Sequence, residues 1–445
     1  MAIKKEFESA KNWYLESYKD FANKLNGQKD TFYNDLRNDA IGKLKELDFP
    51  TLRNEEWKYT NVSPIMKSNF VPANNLSRIE ISKEKIADKL FHGFEYHLMV
   101  FVNGIYDESL SSIGELPKGV IIDSFNNVLR NQPEVIESHL KKYSKTITAF
   151  DSLNTAYAVD GLVAIVPDGK VVEKPVQVLY LNGRDDEQVL STPRNLIVAG
   201  KNSQVSVIAN YEAFSDNPYF SNITTEVIAD ENAIVDLYKI QNESKSAFHI
   251  ERVEAYQNKQ SVFTHYNISF GGKIVRNDIN SEMNDEFIET NYFGLYLGNN
   301  DQHVDNHTLV DHAKPNCESN ELYKGILDDS SRGVFNGKIM VRRDAQKTNA
   351  YQSNKTVLLS KDATIDTKPQ LEIYADDVKC SHGATIGHLD DTAYFYIRSR
   401  GIPSELAKSM LIRAFANDVI EKVKIEALKE QLNHLIFENL HRVEI

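Results

Sequence analysis

The spacing of apolar residues divides the chain into three parts with different periods. In residues 1–48, large apolar side chains such as Phe7, Tyr18 and Leu25 recur every three or four positions, with charged residues between them. That spacing is typical of amphipathic helix, and Pro50 ends it. The N-terminal part is therefore predicted to begin with helices.

A different period begins at Leu162 and continues to about Ile397. Short runs rich in β-branched and aromatic residues, such as VQVLYL, QVSVIA and AIVDLYK, are separated mostly by Gly, Asn, Asp or Ser. Many short strands at this spacing are typical of a sandwich, a barrel or a β-helix. The pattern alone leaves these three open, although more than 200 residues of it suit a solenoid.

A helical period returns after Pro403. Ser404 is a good N-cap, and an apolar stripe over residues 406–436 predicts one long or two short helices. The predicted organisation is a helical and small α+β region in residues 1–160, a β core in 161–400 and a helical region in 401–445.

Charge and cysteine content exclude several classes of protein. The net charge of −13 argues against a nucleic-acid binder and against adsorption to anionic membranes. Two cysteines among 445 residues exclude a disulfide scaffold. The N-terminus has no apolar signal segment, and no apolar run approaches the length of a membrane span. We therefore expect a cytoplasmic protein without a membrane segment.

The segment YADDVKCSHGATIG carries the densest group of reactive side chains. If Asp376–His382 is a strand, Asp376, Cys380 and His382 lie on one face, with Cys380 and His382 roughly 6.6 Å apart along it. A thiolate and an imidazole so placed can bind zinc or ferrous iron. They make only half of a tetrahedral site, so the other ligands must come from elsewhere in the fold or from another chain.

Other interpretations of this pair stay open. Cys380 can be a small buried apolar residue, and His382 can cap the turn before Gly383. A Cys–His nucleophile pair is a further alternative, but the sequence identifies no oxyanion donor and no orienting Asn.

A second group of candidates lies in QHVDNHTLVDH, shortly before Cys317. His303 and His307 have the i,i+4 spacing of a helical zinc site. The surrounding residues indicate a strand instead, which puts His303, Asp305 and His307 on one face and His312 on the other. Surface or hydrogen-bonded histidines are the favoured interpretation.

Enzyme motifs are missing from the sequence. It contains no P-loop, no dinucleotide-binding glycine motif and no nucleophile elbow. The pairs Asp185-Asp186, Asp328-Asp329 and Asp390-Asp391 suit solvated turns, with a β-helix polysaccharide-active enzyme as the alternative. A metal-storage or zinc protein is a third hypothesis.

Longer strings carry a resemblance that the short motifs do not. The segment from 358 to 401, with its string DDVKCSHGATIG, resembles the C-terminal signature of the SufB/SufD family of iron–sulfur cluster assembly proteins. The segments AQKTNAYQSN (345–354), FNGKIMV (335–341), DHAKPNCESNELYKG (311–325) and RNEEWKYTNVSPI (53–65) are similar to the same family. The similarity extends from about residue 50 to the end of the chain.

The resemblance implies a mainly β fold, a right-handed parallel β-helix flanked by helical terminal regions. It implies a non-catalytic scaffold that pairs with a SufB-like paralogue and docks a SufC-like ABC ATPase through residues 401–445. It assigns Cys380 and His382, His382 more strongly, to a transient iron–sulfur cluster or iron shared with SufB. No cofactor is expected to be tightly bound in the isolated chain, which we expect to be able to form a homodimer.

Overall fold

Strands and helices of the computed structural model are described for residues 2–25, 28, 31–140 and 147–439. The helices, in chain order, are α1 (Ala2–Asn23), α2 (Phe32–Glu46), α3 (Ser63–Met66), α4 (Lys83–Ala87), α5 (Phe125–Asn131), α6 (Pro133–Glu137), α7 (Ala149–Tyr157), α8 (Asp391–Ser399), α9 (Ser404–Ile420) and α10 (Glu426–Asn439), with short 3-10 turns at Glu55–Trp57 and Ala73–Asn75. The strands, in chain order, are β1 (Val71–Pro72), β2 (His97–Val102), β3 (Ile105–Tyr106), β4 (Ile121–Ser124), β5 (Leu162–Val166), β6 (Val176–Asn182), β7 (Val189–Ser191), β8 (Arg194–Ala199), β9 (Gln204–Ala213), β10 (Phe220–Ala229), β11 (Ile234–Asn242), β12 (Phe248–Gln257), β13 (Val262–Ser269), β14 (Ile274–Met283), β15 (Glu289–Gly298), β16 (His303–His312), β17 (Glu318–Leu327), β18 (Arg332–Val341), β19 (Asn349–Leu358), β20 (Thr364–Thr367), β21 (Gln370–Ile373) and β22 (Lys379–Gly387).

Successive strands alternate between two sheets, which makes the core a parallel β-solenoid of about eight turns. The first sheet has the order β20-β18-β16-β14-β12-β10-β8-β5-β4, and β21 also pairs with β18. The second sheet has the order β22-β19-β17-β15-β13-β11-β9-β6-β2-β3. Phe220 pairs with Phe248 and Phe248 with Ile274, so these two turns are 28 and 26 residues long. The predicted β-helix core is confirmed.

The corners of the solenoid explain why polar residues separate the apolar runs. Asn202, Asn232 and Asn300 adopt positive φ values of 54°, 57° and 51° at turns between the two sheets. Asn visits the left-handed region more easily than most residues, because its short amide can hydrogen-bond locally. These corners let one strand end and the next begin in the other sheet.

Large and small residues alternate across the interior of the solenoid. Tyr323 is paired with Gly294 on the neighbouring strand, and Tyr296 is paired with Gly325. A Cβ atom at either glycine would overlap the ring of its tyrosine partner. The glycines therefore make room for buried aromatic rings, which sit beside a mostly aliphatic core.

We expect Gly294→Ala to lower the free energy of unfolding by about 1–3 kcal/mol, because the added methyl group overpacks the interior against Tyr323. Urea unfolding followed by circular dichroism measures the change. Gly42→Ala in α2 is the control: its Cβ meets no atom within 4 Å, and Ala favours helix by up to about 1 kcal/mol. A Gly294→Ala variant as stable as the wild type would contradict this packing.

Helices from both ends of the chain cover the outer faces of the sheets. On the first sheet, Phe150 of α7 packs edge-on against Phe220 with ring centroids 6.0 Å apart, and α1 and α2 pack around them. On the second sheet, Ile412 and Val419 of α9 pack with strand residues, and the hydroxyl of Tyr266 donates to the Lys422 carbonyl. The predicted helical flanks are confirmed, and the C-terminal stripe forms two helices.

The predicted extent of the strands is wrong at its C-terminal end. Strands stop at Gly387, and residues Asp391–Ser399, including the β-forming run YFYI, form α8. Asp390 explains the difference, since its carboxylate accepts hydrogen bonds from the backbone N–H groups of Thr392 and Ala393 and caps the helix. A local cap therefore outweighs the β-propensity of the run.

Within the described ranges, every helix is too short or too polar to cross a membrane.

Candidate functional site

Cys380 and His382 lie on β22, the last strand of the second sheet. β22 pairs with β19 on one side only, and its register places Cys380 beside Ala350 and His382 beside Gln352. The two residues are two apart on one strand, so they share a face as predicted. The strand therefore presents the thiol and the imidazole together at the edge of a sheet.

The predicted place of Asp376 on this strand is wrong. Asp376 and Asp377 lie in a bend, and β22 begins only at Lys379. The carbonyl of Asp377 accepts a hydrogen bond from the N–H of Lys347, and its own N–H donates to the side chain of Gln346. These contacts turn the chain before the strand, so the carboxylates do not join the face of Cys380 and His382.

Cys380 is half-buried and packs against apolar residues of the last turns. Its neighbours include Ile339, Val341, Ala350 and Ala375. Burial raises the pKa of the Cys380 thiol, and a hydrogen bond with the Ala350 backbone opposes the shift. At neutral pH the thiol therefore stays protonated until a metal ion or a partner displaces the proton.

His382 is exposed to solvent, although it shares the inward-facing side of the strand with Cys380. It stands at the end of the solenoid, where no further turn covers β22 among the described residues. The exposure makes the imidazole accessible to a metal ion or to a second protein.

Buried polar side chains continue inward from His382 along the same face. Gln352 pairs with His382 on one side and with Glu321 on the other, and its Nε2 donates to Glu321 Oε1 at 3.3 Å. Thr308 of the first sheet donates to Glu321 Oε2 at 2.6 Å. Burial raises the pKa of Glu321 to about 7, and these two hydrogen bonds lower it only in part. Glu321 and Gln352 were not predicted from the sequence, since their burial follows only from the stacking of β17 and β19.

The second predicted cluster forms a contact with the N-terminal segment. His303, Asp305 and His307 share the outer face of β16, as predicted, and the hydroxyl of Thr60 donates to Asp305 Oδ2 at 2.5 Å. His303 Nε2 lies 2.8 Å from the same hydroxyl, and His307 Nδ1 lies 3.4 Å from Glu56. These histidines hold the segment RNEEWKYT against the first sheet.

Neighbouring carboxylates raise the pKa of His307 in this contact. Burial and Arg276 lower the pKa of His307, but Asp305 and Glu56 outweigh them and raise it above the ordinary value. Asp305 Oδ1 lies 3.1 Å from His307 Nε2, and Glu56 lies 3.4 Å from Nδ1, so both ring nitrogens face carboxylates. Those contacts occupy the ring nitrogens that a metal ion would need.

The remaining candidates of this region are buried. His312 faces the interior with Nε2 2.9 Å from the Ser319 hydroxyl, and burial lowers its pKa to about 3. Cys317 is buried, its thiol donates to the Asp285 carbonyl at 3.1 Å, and burial raises its pKa to about 11. Both residues are therefore structural in this chain, and both cysteines are free thiols.

The acidic pairs lie in separate turns. Asp186 binds the guanidinium of Arg184, Asp328-Asp329 form the corner before β18, and Asp390 caps α8. No group of three His, Cys, Asp or Glu side chains suited to a metal ion occurs in the part of the chain that the structure describes. Cys380 and His382 are thus two candidate ligands without a third from the described residues.

Apolar side chains are exposed around these two residues. We call the end of the solenoid formed by β20, β21 and β22 the open end. Its exposed large apolar residues are Tyr351, Ile373, Tyr374 and Ile386, and Phe395 and Tyr396 of α8 are 73% and 59% exposed. Exposed large apolar side chains near an unpaired strand edge are typical of a protein interface. The sequence does not predict these exposed side chains, because exposure depends on where the solenoid ends.

Comparison with known proteins matches nearly the whole chain to one family. The model for the SUF system FeS cluster assembly SufBD core domain matches residues 180–415, and that for the SufBD protein N-terminal region matches residues 8–178.

Similar proteins carry related names. The chain is 33% identical to the iron–sulfur cluster assembly SufBD family protein slr0076 of Synechocystis, over 93% of this chain and 92% of that protein. It is 31% identical to the iron–sulfur cluster assembly protein SufD of Escherichia coli, over 88% of this chain and 89% of that protein. It is 27% identical to SufD of Bacillus subtilis, over 95% of this chain and 96% of that protein.

These matches confirm the predicted resemblance. Two features of the sequence favour the SufD branch over SufB, namely its two cysteines and the element R-x-x-E-W-K-Y-T. The same element holds the N-terminal segment against His303, Asp305 and His307 in the structure. The parallel β-solenoid and the flanking helices agree with the match to both family models. The chain therefore belongs to the SufBD family of iron–sulfur cluster assembly proteins.

Proposed function

We propose that this chain is a non-catalytic scaffold subunit that pairs with a SufB-like paralogue through the open end of its solenoid. The observation that carries the proposal is the position of Cys380 and His382 on an edge strand. β22 presents unpaired backbone N–H and C=O groups there, and the last strands carry exposed apolar side chains. A partner with a similar sheet edge would cover both.

The pair supplies half of a metal site. A thiolate and an imidazole are suitable ligands for iron and for iron–sulfur clusters, which usually need four protein ligands. The described residues contribute two, so the others would come from the paralogue across the interface. The cluster, or its iron, is cargo that forms at this interface and leaves it. His382 is the stronger ligand of the two, because it is exposed while Cys380 is half-buried.

The C-terminal helices are proposed to dock a SufC-like ABC ATPase. α9 is fastened to the second sheet by Lys324, whose Nζ donates to the Phe415 carbonyl at 2.6 Å and to Asp418 at 2.5 Å. A firmly held helix pair can transmit a movement of the ATPase to the solenoid. Phe395 and Tyr396 of α8 stand exposed next to these helices and offer an apolar contact to a partner.

The isolated chain is proposed to form a homodimer through the same open end. An unpaired strand edge with exposed apolar residues can pair with a second copy when the paralogue is absent. Size-exclusion chromatography with light scattering is expected to show a dimer that Ile386→Asp converts to monomer, and a monomer at every concentration would contradict this part of the proposal.

Replacing His382 is the direct test of the shared site. We expect His382→Ala, co-expressed anaerobically with SufB- and SufC-like proteins, to assemble the complex but to retain roughly tenfold less iron and sulfide. Removal of a ligand weakens cluster binding without removing the docking surfaces. Complex recovery and bound iron and sulfide are measured on the same preparation, and Cys380→Ala is compared.

His388→Ala and Cys317→Ala are the matched controls. His388 is an exposed histidine near the end of β22 whose Nδ1 lies 2.9 Å from the Leu358 carbonyl, and Cys317 is buried away from the open end. Both controls are expected to retain wild-type iron. Equal cluster content in all four variants would mean that Cys380 and His382 are structural. Failure of the wild-type chain to bind either partner would contradict the scaffold role itself.

A further inference from the structure

A row of side chains crosses the interior of the solenoid and ends at His382. Parallel register places His265, Tyr292, Glu321, Gln352 and His382 side by side on β13, β15, β17, β19 and β22. Neighbouring strands are about 4.8 Å apart, so each side chain in the row can contact the next. The row connects the buried core to the exposed imidazole.

Glu321 is held from both sheets. Thr308 Oγ1 donates to one carboxylate oxygen at 2.6 Å and Gln352 Nε2 donates to the other at 3.3 Å. The titratable groups that face it are the hydroxyls of Tyr292 and Tyr323. A carboxylate in its ionised form only accepts hydrogen bonds, so it selects the NH₂ group of the Gln352 amide.

Because the NH₂ group faces Glu321, the carbonyl oxygen of the Gln352 amide, Oε1, points away from it. Gln352 is 3% exposed, and its Oε1 has no hydrogen-bond partner among the described protein groups. Gly337 across the interior leaves space for the amide, since a Cβ atom there would overlap Gln352 Nε2. A buried carbonyl oxygen without a donor costs free energy, so a nearby N–H group would satisfy it.

The next residue in the row carries such a group. We propose that Glu321 and Gln352 are positioning residues for His382: the carboxylate orients the amide, and the amide oxygen accepts a hydrogen bond from one ring nitrogen of His382. The other ring nitrogen then keeps its lone pair and is free to bind a metal ion. The inference rests on the proposed function only for the identity of the ligand, since the hydrogen bond itself needs no metal.

This arrangement is a known way of preparing a histidine ligand. An acceptor on one imidazole nitrogen selects the tautomer and fixes the plane of the ring, and losing it typically costs 10- to 100-fold in metal affinity. Here the residues that orient the His382 ring, Gln352 and Glu321, lie inside the solenoid, while the partner chain would approach from outside. The tautomer and the ring orientation of His382 can therefore be fixed before any partner binds.

Nitrogen-15 NMR of the full chain labelled at histidine tests the proposal without metal or partner. The His382 signals are assigned by their loss in His382→Gln. At pH 8 we expect one protonated and one unprotonated ring nitrogen in the wild type, and averaged signals from two tautomers in Gln352→Met. Glu321→Gln is expected to average them in part, because a neutral amide no longer selects one end of Gln352.

Controls separate positioning from a general loss of structure. Glu212→Gln replaces another buried carboxyl whose pKa burial raises to about 7, on β9 outside the row, and is expected to leave the His382 signals unchanged. Gln352→Asn, which shortens the amide, serves if Gln352→Met does not fold. Averaged signals in the wild type, or unchanged signals in all row variants, would overturn the proposal.

A second measurement keeps this test distinct from that of the shared site. In the complex, Gln352→Met is expected to retain iron at roughly one tenth of the wild-type level with normal complex recovery. A fixed tautomer together with normal clusters in His382→Ala would overturn the shared site and leave the positioning intact. Averaged wild-type signals together with cluster loss in His382→Ala would overturn the positioning alone.

Discussion

Replacing Arg276 by Met is expected to lower the free energy of unfolding by about 3–5 kcal/mol, because the substitution leaves a buried carboxylate without its cationic partner. Arg276 is 2% exposed, and its guanidinium donates to Asp305 at 2.9 Å and lies 2.7 Å from Asp278. It also donates to the carbonyl of Glu56 at 2.6 Å and lies 3.9 Å from the ring centre of Trp57. One side chain thus joins the first sheet to the N-terminal segment.

The carboxylate left behind explains the size of the effect. Burial raises the pKa of Asp305, but His307 and Arg276 outweigh it and lower the pKa, so Asp305 is charged in the folded chain. Without Arg276, that charge keeps His307, His303 and the hydroxyl of Thr60 as nearby partners. Urea unfolding followed by tryptophan fluorescence measures stability, and a Trp13→Phe background leaves Trp57 as the single tryptophan that reports the release of the segment.

Arg342→Met is the matched control for this variant. Arg342 is also bidentate to an aspartate of β16, Asp311, but its side chain is 42% exposed. Exposed ion pairs contribute about 0–1 kcal/mol, so the loss should be small. Similar losses in the two variants would show that burial of Arg276 is not what fastens the segment.

Replacing Glu321 by Gln is expected to stabilise the chain by about 3 kcal/mol at pH 8 and by much less at pH 5. The pKa of Glu321 is about 7 in the folded chain and near 4.5 in the unfolded chain. The folded state therefore holds its proton more tightly, so the wild type loses stability as the pH rises from about 4.5 to 7. Each unit of pKa difference between the folded and unfolded states changes the free energy of unfolding by about 1.4 kcal/mol. Gln does not ionise, so the variant does not suffer this loss.

Urea unfolding of both proteins at several pH values measures this effect. Glu318→Gln is the control, since Glu318 lies on the same strand but is exposed to solvent. A stability gain of Glu321→Gln that is independent of pH would contradict the raised pKa. A buried carboxyl at this position lowers the stability of the folded chain above pH 7, which is consistent with a functional role for Glu321 beside His382.

Local pattern predicted the strands and the pairing of residues on their faces. Strand residues alternate between two faces, so the sequence placed His303, Asp305 and His307 together, and likewise Cys380 with His382. The helices at both ends followed from their apolar period. The exception is α8, where the aromatic run was interpreted as strand until the Asp390 cap and the contact of Tyr394 with Ser404 decided otherwise.

The hydrophobic and polar pattern of the sequence does not predict contacts between distant segments. Thr60 and Glu56 bind a strand more than 240 residues away, and no period in either segment predicts that contact. The row from Glu321 to His382 depends in the same way on register, because each neighbour is one whole turn of the solenoid away.

The sequence by itself determined the series of short strands, the helical ends and the pair Cys380 and His382, and its resemblance to one family implied the β-helix. Only the tertiary structure decided which candidates are accessible, because exposure depends on where the solenoid ends and what covers it. The stacking of turns buries Cys317 and His312, and the N-terminal segment covers His303 and His307. The last turn has no successor among the described residues, and so His382 stays exposed at the open end, where a partner can reach it.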